Sequence, residues 1–290
     1  NYQNEEVVLS GAQQVTSSWE RHEGNIWTTT SDVDITQLFL NGKMLTAARW
    51  PNIDSDWDYL DTTHNGKLPD GNYFNTWARN ATSDEFGVYH NNEEKYSLAD
   101  LNISLTGAML VPQKSLQRFN YTAAEISAHQ AGSNAFELED EAEKSIQSKS
   151  WKNENSEVVW NSDQQWARGG FSYYITNHLG LLDQPSEWHY DESENKLYVW
   201  LPDGQNPNDA GLNVEARVFE DGNYEASRED YLLSISNSSH LVLKGINTYT
   251  GAFKLDHTTD TTFEDSRFLY IRQPGYMLGS DKRTSTNNTY

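Results

Sequence analysis

Apolar and polar residues alternate in short runs along much of this chain, and towards its C-terminal end the alternation repeats itself. Residues 232–251 (LLSISNSSHLVLKGINTYTG) are matched in pattern 20 residues later by residues 252–271 (AFKLDHTTDTTFEDSRFLYI). Leu233 falls with Phe253, Ile235 with Leu255, Leu243 with Phe263 and Thr248 with Phe268, while the polar clusters 237–240 and 257–260 also coincide, as do Lys244-Gly245 and Glu264-Asp265. Each unit reads as three short strands separated by turns. A unit that small cannot bury its own apolar face, so it is expected to stack on a neighbour, as solenoid repeats do. A parallel β-helix is the simplest solenoid of this period; a sandwich of evenly spaced strands is the alternative. Residues 276–289 read as the start of a further coil, which marks the chain as part of a longer polypeptide.

Upstream, strands are expected at residues 6–9, 26–28 and 37–40. Asn41-Gly42, flanked by Leu38, Leu40, Met44 and Leu45, signals a tight hairpin, because both central residues of a type I′ turn need positive φ. Arg49-Trp50-Pro51-Asn52 then closes the segment, since proline cannot continue a central ladder. From residue 53 to about 165 the alternation breaks into acidic and aromatic clusters, with apolar patches at 101–105 and 157–160, and reads as an irregular insertion or small subdomain. Within it, residues 136–147 (FELEDEAEKSIQ) have the composition and end charges of a short helix, with strand as the alternative. Strand patterning resumes at 171–175, 179–182, 186–190 and 196–201, the last two suited to an antiparallel pair. The expected fold is mainly β: a partial right-handed parallel β-helix interrupted by an irregular β-rich insertion. Its expected divisions are β-helix entry strands and a hairpin over 1–52, an insertion or subdomain over 53–165, an antiparallel hairpin segment over 166–210 and β-helix coils over 211–290.

Composition narrows the chemistry. With 43 acidic and 21 basic residues the net charge is −22, which argues against nucleic acid and anionic membrane surfaces as partners. There is no cysteine, so thiolate metal sites and a cysteine nucleophile are excluded. No apolar run approaches the roughly 20 residues needed to span a bilayer. The chain carries 10 Trp, 16 Tyr and 10 Phe, rings that fill β-rich cores and also stack on sugars. Asn-x-Ser/Thr sequons at Asn80, Asn102, Asn120, Asn237 and Asn287 match chance in a chain this rich in Asn, Ser and Thr. Phosphate loops, nucleophile elbows and dinucleotide fingerprints are absent.

Two segments carry a resemblance. Residues 38–52 (LFLNGKMLTAARWPN), and residues 181–191 (LLDQPSEWHYD) with 196–204 (KLYVWLPDG), resemble a group of bacterial right-handed parallel β-helix proteins of the pectin-lyase-like superfamily. The resemblance covers residues 5–52 and 166–271 well and 53–165 poorly. It implies a protein that is secreted, periplasmic or displayed at the cell surface and acts on polysaccharides, as a glycoside hydrolase first and a lyase second, with a non-catalytic carbohydrate-binding or adhesive protein as the alternative. Both segments are framework in that group. Ser186 departs from it, standing where the group usually has glycine in a Pro-Gly-Glu-Trp turn.

Stacked coils also supply candidate chemistry. Glycoside hydrolysis needs a carboxylic acid and a carboxylate about 5–5.5 Å apart for retention or about 6.5–9.5 Å for inversion, and neighbouring strands lie at about 4.8 Å. The turns of the second unit gather Asp256, His257 and Asp265 as candidate catalytic groups and Asp260, Glu264 and Arg267 as candidate substrate-binding groups. Solvated turns of a solenoid are the plain alternative for each. No cofactor is expected. Calcium is the one metal considered, at Asp54, Asp56, Asp58 and Asp61, whose alternating oxygens resemble the opening of a calcium loop; Tyr59 and Asn65 stand where an EF-hand has glycine and glutamate.

Overall fold

In a computed structural model of the protein, which describes residues 7–53, 78–85, 88–91, 96–113, 123–139, 151–152, 158–159, 171–219 and 231–270, the 20-residue offset is the register in which strands pair. Tyr231–Ser236 runs parallel to Ala252–Asp256 with Leu233 opposite Phe253 and Ile235 opposite Leu255. Val242–Lys244 pairs in parallel with Thr262–Glu264, and Ile246–Tyr249 with Phe268–Leu269. The N-terminal strand Val7–Ser10 adds to the far side of Ile246–Tyr249, also in parallel. The apolar positions that coincide in sequence form the filling between coils: Leu255 and Phe263 are buried, packed by Leu233, Ile235, Leu243 and Phe268. Phe263 and Phe268 meet edge-on with ring centres 5.4 Å apart. Among the described residues, parallel pairing joins these coils and Val7–Ser10, while the pairs of Lys196–Trp200 with Ile26–Thr30, Val214–Phe219 with Asp34–Leu40 and Met109–Gln113 with Phe171–Thr176 are antiparallel, so the described chain is mainly β and mixed.

The chain forms two compact units, one of Asn1–Thr46 with Tyr190–Tyr290 and one of Ala47–His189. In the first, the Asn41-Gly42 turn joins Asp34–Leu40 to Lys43–Met44, with Phe39 opposite Met44 and Leu40 opposite Lys43. Both turn residues have positive φ, 50° and 80°, as a two-residue hairpin requires. Val214–Phe219 covers the other edge of Asp34–Leu40, and Lys196–Trp200 pairs with Ile26–Thr30 in antiparallel register.

The second unit departs most from expectation. Met109–Gln113, Ala124–His129, Ala135–Leu138, Val88–Asn91, Ala78–Glu85 and Phe171–Thr176 hydrogen-bond in that order, and the last strand pairs back with the first. A six-stranded antiparallel sheet therefore closes on itself, drawn largely from the stretch expected as an irregular insertion or small subdomain. Alternate residues Leu110, Ile126, Phe136, Leu138, Tyr173 and Ile175 are buried, and Phe136 meets Tyr173 with ring centres 5.8 Å apart although their strands are not neighbours. The described part of the expected helix at 136–147 is strand: in Ala135–Leu138 the alternate residues Phe136 and Leu138 are buried, a demand of packing that overrides helix propensity. Residues 179–182, expected as strand, form the 3₁₀ turn Leu179–Leu181, capped by His178 Nδ1, which accepts from the Gly180 N–H.

Candidate functional site

Left-handed backbone recurs at each corner of the coils with the 20-residue period. Asn237 and His257, His240 and Asp260, Gly245 and Asp265, and Thr250 and Tyr270 all have φ between 50° and 66°. Each first-coil member donates its N–H to the carbonyl just before its counterpart: Asn237 to Asp256, His240 to Thr259, Gly245 to Glu264 and Thr250 to Leu269, at 2.9–3.0 Å. Asn, Asp, His and Gly are the residues that adopt this conformation most readily. Three of the four corner positions carry such residues, the fourth being Thr250 and Tyr270, so backbone geometry favours residue types at 257, 260 and 265 that also serve acid–base chemistry.

The six candidate residues fall on two stretches of the second coil, Asp256, His257 and Asp260 before the strand Thr262–Glu264, and Glu264, Asp265 and Arg267 at its end and beyond. At the first, His257 Nδ1 lies 2.9 Å from Asp256 Oδ1, with the Asp256 side chain 17% exposed and that of His257 45%. Asp260 pairs with His240 of the preceding coil at 3.2 Å, both well exposed. At the second, Lys244 reaches Asp265 at 3.1 Å and Glu264 at 3.4 Å, and its hydrogen bonds to Asp265 and Glu264 raise the ammonium pKa above its usual value. The Arg267 backbone N–H donates to Asn247 Oδ1 at 2.9 Å. The coils therefore bring Asp256, His257 and Asp260 into one turn and set Glu264, Asp265 and Arg267 on the next.

Of these, the Asp256–His257 pair has the most chemical capacity. A carboxylate accepting from Nδ1–H orients the ring and leaves Nε2 for proton transfer. An ammonium already takes up the oxygens of Glu264 and Asp265, which equips that corner for binding or for coil stability. The 20-residue offset places His240 of the first coil beside Asp260, as found; sequence reasoning missed Lys244 as a partner, although its signal was present, since it stands 20 residues before Glu264. The calcium candidates Asp54, Asp56, Asp58 and Asp61 lie outside the described residues, and among the described residues no cluster of three acidic or histidine side chains is arranged to hold a metal.

No family model matches the sequence, and no curated protein matches it. Among solved structures the chain is similar to one named "Glycoside hydrolase", with a TM-score of 0.55 and 14% sequence identity, covering 96% of this chain and 54% of that one. At that identity the likeness is one of fold, and the chain spans about half the length of the structure it resembles.

Proposed function

We propose that this chain is part of a secreted bacterial polysaccharide-active enzyme, a glycoside hydrolase built on a right-handed parallel β-helix, with a glycan lying across the coil corners. The observation that carries this reading is the in-register pairing of the two coils, which sets the Asp256–His257 pair at a solvent-facing turn. The fold likeness to a structure named as a glycoside hydrolase and the two resembling sequence segments support it. In hydrolysis, His257, its imidazolium steadied by Asp256, would give the Nε2 proton to the glycosidic oxygen as the bond from the anomeric carbon breaks, and the water that adds to the anomeric carbon would return a proton to the neutral imidazole. Asp265 is the remaining catalytic candidate; Asp260, Glu264 and Arg267 would hold sugar hydroxyls.

The test is release of reducing ends from a panel of plant, algal and bacterial polysaccharides. Asp256→Asn and His257→Ala are each expected to lower turnover at least about 100-fold, the usual contribution of acid–base catalysis, while binding in affinity electrophoresis is retained. Unsaturated products in place of reducing ends would instead favour a lyase, with His257 as base and Arg267 neutralising a uronate. Binding without either product would leave a carbohydrate-binding or adhesive protein.

A further inference from the structure

Glu187 is a carboxylic acid with none of its side chain exposed to solvent, and the proposed reaction does not use it. It follows the turn of Gln184, Pro185 and Ser186, at the start of the strand Glu187–Asp191. Both its oxygens face neutral donors: Gln184 Nε2 at 3.2 Å from Oε1 and the Asp183 backbone N–H at 3.4 Å from Oε2. The same turn is fastened to the segment that ends the short strand Arg49–Trp50. Gln184 Nε2 also donates to the Ile53 carbonyl at 3.4 Å, and Asn52 Nδ2 donates to Asp183 Oδ1 at 2.8 Å.

Among the described residues, no positive charge acts on the Glu187 carboxyl. Asp183, on the turn, is negative. His189 lies two positions along the same strand and is buried. Asn52 and Ile53 are uncharged, and Arg49 turns its Nε to the Pro51 carbonyl at 3.1 Å and its guanidinium over the Tyr174 ring at 3.9 Å. Burial first, and then the Asp183 charge, push the Glu187 carboxyl up to about 8. Beside it, Ser186 has φ of 72°, a conformation that costs a non-glycine residue free energy and persists only where its surroundings hold it.

We propose that Glu187 is a pH-sensitive latch: protonated, it seats the 183–187 turn against residues 52–53, and its ionisation releases that turn. The sign follows from linkage. The folded protein keeps a proton that the unfolded chain loses near the ordinary carboxylate value, so latch stability is fully present below about 4.5 and falls as pH rises towards about 8. An ionised Glu187 would stand buried beside Asp183, held by neutral donors of Asp183 and Gln184 that do not replace its hydration.

Hydrogen exchange of peptides covering 49–53 and 180–188, corrected for the intrinsic rate, tests this at pH 7 and pH 9. The wild type is expected to exchange about tenfold faster at pH 9, as the ionised fraction of the carboxyl rises. Glu187→Gln, an uncharged isostere, is expected to exchange equally at both. Equal acceleration in wild type and E187Q, or none in wild type, would overturn the proposal. So would a Glu187 side-chain carbon chemical shift, followed by NMR in the unmodified protein, that titrates below pH 6, and this measurement stands whether or not the variant folds.

Discussion

Ser186 holds a left-handed backbone at φ 72°, in the turn where the resembling proteins usually carry glycine. Replacing it with glycine removes a steric cost of about 1–2 kcal/mol against an entropic loss of about 0.5–1 kcal/mol. Ser186→Gly is therefore expected to raise stability by about 0.5–1 kcal/mol, read as an increase in the midpoint of urea denaturation with an unchanged slope. A loss of stability would mean that the serine hydroxyl has a role in the turn. Most coil corners meet the same demand with residues that suit it better, Asn237, His240, Gly245, His257, Asp260 and Asp265. His257, Asp260 and Asp265 were legible in the sequence as polar turn residues, but their left-handed conformation was not, because polarity marks a turn without fixing the sign of φ.

At the scale of elements, the coils were legible because a 20-residue offset aligns every inward residue, and the pairing of Leu243 with Phe263 and of Ile235 with Leu255 follows that alignment. Phe263→Ala is expected to cost about 3–5 kcal/mol, since the ring fills the space between Leu243 and Phe268 and nothing nearby replaces it; thermal or chemical denaturation measures it. Gly251→Ala is expected to cost about 1–3 kcal/mol, because an added Cβ would fall 2.3 Å from Leu232 Cγ. Gly251→Ala together with Leu232→Ala should recover part of that loss, which a double-mutant cycle would resolve. The closed sheet of the second unit was not legible. Register shifts between Val88 and Tyr89, between Ile126 and Ala128 and between Phe171 and Tyr173 break the period of two, the signal by which strands are read. The 179–182 segment misled in the opposite way, its leucines serving a 3₁₀ turn whose cap, His178, lies outside the apolar run.

At the scale of the whole molecule, the net charge of −22 sets a background of self-repulsion. Raising salt from about 10 mM to about 150 mM shortens the screening length from about 30 Å to about 8 Å. The melting temperature is expected to rise by about 2–4 °C, equivalent to roughly 1 kcal/mol; calorimetry at the two salt concentrations measures it, and a fall would show that attractive pairs such as Lys244 with Glu264 and Asp265 outweigh the repulsion. The ring of six strands carries a further consequence. Trp50 pairs with Ile175, so the points at which the chain departs for the ring and returns from it are neighbours. A stretch of well over a hundred residues is thereby hung from a doorway two strands wide, and genetic exchange could lift it out, or fit another in its place, by rejoining backbone that already lies side by side.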